Sequence, residues 1–216
     1  MPIYNAPLAD MKFILNDVFN ADQFWQSNEN LAHVDSATAE AILEEMAKFA
    51  QNVTLPLNRT GDEEGATFSN GAVTTPAGFK EAFKQYAEGG WIGLAADEEW
   101  GGQGMPKMLT VLADEMLFAT NPSFMLYPLL SVGAGMALNS YASQEQKETY
   151  LPKIYSGEWS GTMCLTEPHA GTDLGIIKTK AERNEDGTYN ITGTKIFITG
   201  GDHDLAENII HLVLAK

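Results

Sequence analysis

Near Ser156 the spacing of apolar residues changes from helical to alternating, and that change divides the chain into two folding regimes. Before it, apolar side chains recur three and four residues apart, which gathers them on one face of a helix. After it, segments rich in Thr, Ile, Val, Phe and Tyr read as strands: Trp159 to Thr166, Ile177 to Arg183, Tyr189 to Ile198 and Asn208 to Ala215. Asp186-Gly187 between two of them predicts a hairpin with a tight primed turn. The expectation is an α+β chain, with an all-α domain over residues 1–156 and a β domain over 157–216. No internal repeat or low-complexity segment is evident.

The helical part divides at its own stop signals. Met11, Ile14, Leu15, Val18 and Phe19 predict a short helix between Leu8 and Trp25 that packs one face on its neighbours. A second helix starts after Asp35 or Ser36, either of which can cap it, and runs on Ile42, Leu43, Met46, Phe49, Ala50 and Val53 until Pro56. Arg59 to Val73, with three glycines and little periodicity, reads as a loop. Thr75-Pro76 predicts the next start, with Phe79, Ala82, Phe83 and Tyr86 buried and Gly89-Gly90 as the stop. WIGLAADEEWGGQGMP follows as a glycine-rich turn; Asp97 to Glu99 would repel a phosphate and the Walker lysine pattern is missing. Helices are then expected over Pro106 to Ala119, on Leu109, Leu112, Ala113 and Met116, and over Phe124 to Tyr141. Ser143 and Gln146 have capping-box spacing for a last helix to about Tyr155.

Composition limits the partners. Thirteen basic against 29 acidic residues give a net charge of −16, which disfavours nucleic acid as a partner. One cysteine, Cys164, excludes an intramolecular disulfide framework and a Cys-based zinc cluster. The apolar run Phe124 to Leu138 is shorter than the roughly 20 residues of a membrane helix and contains Pro128, Gly133 and Gly135, so no membrane span is expected. The opening MPIYNAPLADMKFIL lacks a basic segment before a long apolar run, a poor secretory signal, and the default compartment is cytoplasmic.

Within the β part, Thr162 to Gly175 (TMCLTEPHAGTDLG) stands out. It alternates as a half-buried strand, then breaks at Pro168 into a loop with Gly171 and Gly175. Glycine lets a backbone approach a flat ligand closely, and Thr166 and Thr172 supply donors and acceptors. Thr166-Glu167-Pro168-His169-Ala170-Gly171-Thr172-Asp173, followed by Lys195-Ile196-Phe197-Ile198-Thr199-Gly200-Gly201, resembles the paired signature of the FAD-dependent acyl-CoA dehydrogenases. Asp97 to Gly104 and Gln144 to Pro152 match the same family in its order and spacing. The resemblance covers nearly the whole chain, and the opening segment is similar to the longer bacterial branch of the family.

That resemblance implies a β-barrel-like middle domain, here only its first part, with the family's C-terminal helical domain absent. It also implies α,β-dehydrogenation of an acyl-CoA thioester to the enoyl-CoA with FAD as hydride acceptor, since no side chain accepts hydride. Met163, Cys164, Leu165 and Thr166 with Phe197, Ile198 and Thr199 match the flavin-contacting segments, the hydroxyls of Thr166 and Thr199 at the ring's polar edge and Phe197 on its face. Gly171 and Thr172 match positions beside flavin and acyl-CoA, so Thr172 is also a substrate-binding candidate. No catalytic residue is assigned: the family's glutamate base comes from the C-terminal domain, leaving Glu167 and Asp173 as loop-fixing carboxylates and residues 1–216 alone inactive. His169 and Thr172 stand where the commoner pattern has glycine and serine. His169 is read as structural, and His33, His203 and His211 as surface or packing residues without metal-ligand spacing. Met125, Leu129, Met136 and Leu138 are core residues or the border of an acyl pocket. Family membership further implies an electron-transfer flavoprotein as acceptor and a homo-oligomer. The alternatives are an acyl-CoA oxidase of the same fold, marked by peroxide yield, and a helical interaction module without cofactor, which flavin-yellow protein would exclude.

Overall fold

The computed structural model describes residues 3–216. Met1 and Pro2, which begin the segment read as a poor secretory signal, lie outside the described residues. Helices fill the chain to Tyr155 and strands follow from Trp159, apart from one small hairpin inside the helical part.

The first apolar segment forms α1 (Leu8–Phe13), a π-turn over Ile14–Val18 and α2 (Ala21–Gln26), broken at Asn20 with φ 47°. Met11, Leu15 and Trp25 are buried, but Val18 and Phe19 are more than half exposed. The wider π-turn rotates them off the face that a regular helix would have buried. Asp35 caps α3 (Ser36–Phe49) by accepting the Thr38 N–H at 2.7 Å. Pro56 does not end the helical path. A π-turn over Ala50–Thr54 leads into α4 (Leu55–Glu64), and Pro56 is the second residue of α4, directly after the turn in which the Leu55 N–H reaches back to Ala50 and the regular α pattern is already interrupted. The segment expected as a loop therefore starts as helix, and continues as a hairpin of β1 (Thr67–Ser69) and β2 (Ala72–Thr74). Asn70 and Gly71 both take positive φ at its tip, as a primed turn requires.

Next, α5 (Phe79–Glu88) starts three residues later than Pro76 would suggest. Gly78 is its cap, and the Thr75 N–H and hydroxyl both donate to Asp204 instead, at 3.0 and 2.7 Å. The 91–106 loop buries Trp100 and turns at Gly101 and Gly104, both with positive φ. It leads to α6 (Lys107–Thr120), α7 (Pro122–Tyr141) and α8 (Gln144–Tyr155), the last opened by a complete Ser143–Gln146 capping box. Phe49, Phe79, Tyr86 and Phe124 form the aromatic centre of the core, with ring centroids 5.6–6.4 Å apart. The buried hydroxyls of Thr54 and Thr120 pair at 2.7 Å, which satisfies two polar groups inside that core.

Strand β3 (Trp159–Cys164) lies on α7. Its Gly161 backbone meets Ala134 and donates its N–H to the Ser131 hydroxyl at 3.1 Å. β4 (Lys180–Arg183) and β5 (Tyr189–Thr192) form an antiparallel hairpin, while β6 (Asn208–Val213) runs parallel to β3 with Trp159 opposite Asn208 and Cys164 opposite Val213. The β4–β5 turn is longer than the primed pair expected: Gly187 N–H closes on the Asn184 carbonyl, and Gly187 takes positive φ while Asp186 does not. Beyond β6, the Lys216 backbone pairs with Thr179 and Ala181 and joins the two ladders. Tyr189 to Ile198 is not one strand. It stops at Thr192, because the Gly193 backbone closes on Thr179 and Phe197 turns left-handed at φ 57°. No helix of the described residues is long and apolar enough to cross a membrane.

Candidate functional site

The two signature segments are joined by one buried carboxylate. Glu167 leaves the end of β3 with 3% of its surface exposed, and the turn Glu167–Ala170 closes on itself through reciprocal backbone bonds of 2.9 and 3.0 Å. Its carboxylate accepts the Thr179 hydroxyl at 2.6 Å, the backbone N–H groups of Lys178 and Thr179 at 2.7 and 3.0 Å, and the Lys195 ammonium at 2.9 Å. The Thr179 hydroxyl first, then the Lys178 N–H, the Lys195 ammonium and the Thr179 N–H, outweigh the opposing effect of burial and hold the carboxyl well below the usual carboxylate range. Such a group is a fixed anion, held by three donors on Oε1 and one on Oε2. It lacks the proton affinity for general base work.

Lys195 also donates to the Leu165 carbonyl at 2.9 Å, and the Ile196 N–H donates to the Thr166 carbonyl at 2.9 Å. Leu165 and Thr166 are thereby brought against the segment that carries Phe197, Ile198 and Thr199. Gly171 lies beside the Thr166 methyl, which an added Cβ would touch only at ordinary contact distance. Met163 points outward at 45% exposure, whereas Cys164, the next residue of β3, is turned into the interior. Leu165, Thr166 and Ile198 are half-buried; Gly171, Thr172 and Thr199 are exposed. The Thr162 and Thr179 hydroxyls bond His211 and Glu167, whereas those of Thr166, Thr172 and Thr199 meet no partner among the described residues.

Phe197 is the unusual member. It is 88% exposed and left-handed, and the other non-glycine residues with positive φ, Asn20 and Asn70, are of the type that tolerates it. An aromatic ring held out into solvent on a left-handed backbone can serve a flat apolar ligand, and the same two segments carry the unpartnered hydroxyls of Thr166 and Thr199.

The surrounding loop is self-supporting. The Asp173 carboxylate accepts the Gly175 N–H at 2.9 Å, and His169 Nε2 lies 3.1 Å from the Ile176 carbonyl and 3.6 Å from Glu167. Sequence reasoning quoted Lys195 only as part of a motif and missed that its ammonium ties the two segments; a lysine between strand residues was the available signal. It also read His203 as surface or packing without seeing its bond to Ser160.

A separate cleft of about 890 Å³ opens between the 91–106 loop, α6 and α7, with Tyr86, Trp91, Asp114, Met136 and Tyr155 among its walls. Burial pushes the Asp114 carboxyl up, and the same cause, with Asp114 beside it, pushes the Tyr86 hydroxyl up. Of the residues open to two readings, Met125 is core, Met136 lines this cleft, and Leu129 and Leu138 pack half-buried against core clusters.

Residues 36–158 match the family model "Acyl-CoA dehydrogenase, N-terminal domain" and residues 162–216 "Acyl-CoA dehydrogenase, middle domain". The chain is 44% identical over 213 residues to 3-methylmercaptopropionyl-CoA dehydrogenase of Ruegeria pomeroyi, covering 99% of this chain and 36% of that one. Among solved structures it resembles butyryl-CoA dehydrogenase from Megasphaera elsdenii, with TM-score 0.68, 27% identity, and 82% of this chain and 43% of that one covered. It also resembles acyl-CoA dehydrogenase complexed with FAD from Bacillus anthracis, with TM-score 0.66, 27% identity, and coverage of 86% and 29%. The chain thus spans about a third of the length of the curated relative it matches.

Proposed function

Since this chain belongs to the acyl-CoA dehydrogenase family, whose N-terminal and middle domain models match residues 36–158 and 162–216, we propose that the complete protein dehydrogenates an acyl-CoA thioester between its α and β carbons. The observation that carries the reading is the exposed, left-handed Phe197 beside the unpartnered hydroxyls of Thr166 and Thr199. These residues fit a flavin: an apolar ring face needs an aromatic platform, and its polar edge needs donors that the protein has not already used. FAD, when bound, supplies the hydride acceptor that side chains cannot.

The chain's own residues hold and orient. Phe197 would hold the ring face, Thr166 and Thr199 would bond its edge, and Met163, Cys164, Leu165 and Ile198 would shape the wall, Cys164 through its backbone. Gly171 and Thr172 would lie beside both the flavin and the acyl-CoA. Glu167 stays anionic and keeps the two segments in register. Its low proton affinity argues against Glu167 as the base that takes the α proton, which family likeness assigns to a part of the complete protein outside these residues. The division of the chain into a helical domain, 1–156, and part of a β domain, 157–216, belongs to the same reading. So do an electron-transfer flavoprotein as acceptor, a homo-oligomeric assembly, a cytoplasmic site of action and a place in fatty acid β-oxidation.

The test is flavin absorbance of the complete protein, followed by its bleaching with a short acyl-CoA under anaerobic conditions. Stoichiometric FAD that bleaches, with little peroxide in air, is expected; a colourless protein refutes the reading, and abundant peroxide turns it into an oxidase. Residues 1–216 alone are expected to show no turnover. FAD on that chain which bleaches with substrate would return the base to Glu167.

A further inference from the structure

His203 is 7% exposed and lies just beyond the turn Phe197–Gly201. Its Nδ1 accepts the Leu205 N–H at 3.1 Å. An amide is only a donor, so Nδ1 carries the lone pair and the single proton of the neutral ring sits on Nε2. Nε2 then donates to the hydroxyl of Ser160, 3.0 Å away and 1% exposed in β3. The ring stands edge-on to Tyr127 of α7, with centroids 5.3 Å apart and planes at 85°. Gly200, left-handed at φ 61°, faces both rings, and Asp204 is held by Thr75 ahead of α5. One imidazole thus joins the turn's downstream arm to β3 and α7.

We propose that His203 is a positioning residue for the Phe197–Gly201 turn, and that its single-tautomer bridge between Ser160 and the Leu205 backbone is released by acid. A protonated ring carries hydrogen on both nitrogens, so Nδ1–H would face Leu205 N–H, donor against donor. The groups facing the ring are Asp202 and Asp204 on its own loop, His211 on β6 and Tyr127 on α7. Burial lowers the ring's proton affinity, the two aspartates oppose this, and His211 adds to it; the net shift is downward. The bridge is therefore at full strength above the ordinary histidine value of 6.5 and weakens as pH falls below it, where the opened loop binds the proton more readily. The purpose assigned to the turn rests on the flavin reading above, whereas the bridge itself does not.

The experiment is amide hydrogen exchange by mass spectrometry on the purified protein without added flavin, at pH 7.5 and 5.5, expressed as protection factors for the peptide spanning residues 197–205. Protection should fall roughly fivefold at the lower pH, the equivalent of one net hydrogen bond, while the β4–β5 hairpin stays unchanged. His203→Asn keeps an acceptor for Leu205 but cannot titrate, so its protection should not depend on pH. Ser160→Ala should lower protection at both pH values and retain the pH dependence. Equal wild-type protection at the two pH values, or an undiminished pH dependence in His203→Asn, overturns the proposal. Should His203→Asn fail to fold, exchange of the His203 ring Cε1–H in the wild type decides: titration at or above 6.5 overturns the bridge. FAD titration of the complete protein at both pH values then separates the two readings. Acid-released exchange with unchanged FAD affinity leaves the bridge standing and removes the flavin from the turn.

Discussion

Gly161 is where the strand bearing the site meets the helical layer, so Gly161→Ala tests how that contact sets the geometry. An added Cβ would fall within 3.0 Å of Ala134 Cβ on α7, against an optimal carbon–carbon separation of about 3.5–4.0 Å. Either β3 or the 20-residue α7 must retreat by roughly 1–1.5 Å, and the Gly161–Ser131 hydrogen bond stretches with it. Overpacking of this kind costs about 1–3 kcal/mol. At about 2–4 °C per kcal/mol for a chain of this size, the melting temperature should drop by about 2–12 °C. Ala134→Gly alone removes the methyl that clashes and costs about 1 kcal/mol in helix propensity. Combined, the two changes should recover most of the overpacking, with a coupling of about 0.5–3 kcal/mol in the rescuing direction. Thermal unfolding followed by circular dichroism on all four proteins measures the cycle. A neutral Gly161→Ala, or two penalties that simply add, would refute the idea that this contact is closed to a methyl group.

Three further outcomes concern the site itself. Glu167→Gln leaves the Lys195 ammonium without its charge partner, so the variant should be less stable at pH 7. Because the wild-type carboxyl titrates below its ordinary value of 4.5, its contribution is present above that pH and lost as pH falls; the variant's unfolding should therefore lose part of the wild type's pH dependence below 4.5, the rest belonging to Asp35, Glu40, Asp186 and Asp204, and an identical acid profile would remove the charge from the account. Thr199→Val should weaken FAD binding to the complete protein by about 1–3 kcal/mol, read by flavin titration, since an edge group of the ring loses its partner. Phe197→Gly should raise the melting temperature of flavin-free protein slightly, because the left-handed strain of about 1–3 kcal/mol exceeds the backbone entropy cost of glycine, while FAD affinity falls; a variant that loses stability and keeps FAD would contradict both halves.

What was legible in the sequence was local. The Asp35 and Ser143–Gln146 caps, the buried faces of α5 and α6, and the change of period after Ser156 each depend on residues a few positions apart. Asn70-Gly71 was equally local and was passed over because the surrounding glycines suggested a loop. Other misreadings have distant or geometric causes. Thr75 has the sequence of a cap, but Asp204, 129 residues away, claims its N–H and hydroxyl. Pro56 has the sequence of a stop, yet the chain reaches it through a π-turn that makes it the opening turn of the next helix.

The site divides along the same line. Both signature segments could be recognised as motifs, but the bonds that make them one site join Thr166 to Ile196 and Glu167 to Lys195 across the fold. Ile196 and Ile198 alternate as strand residues do, and the alternation gives no sign of the left-handed Phe197 between them. A strand there would turn consecutive side chains to opposite faces and bury every backbone donor in a ladder. Breaking it leaves Phe197 and Thr199 outside, with the Glu167 carboxylate and the His203 ring holding the segment from either side. Local propensity is overruled here by contacts made across the fold, and the departure from strand pattern in this segment is what the proposed flavin reading draws on.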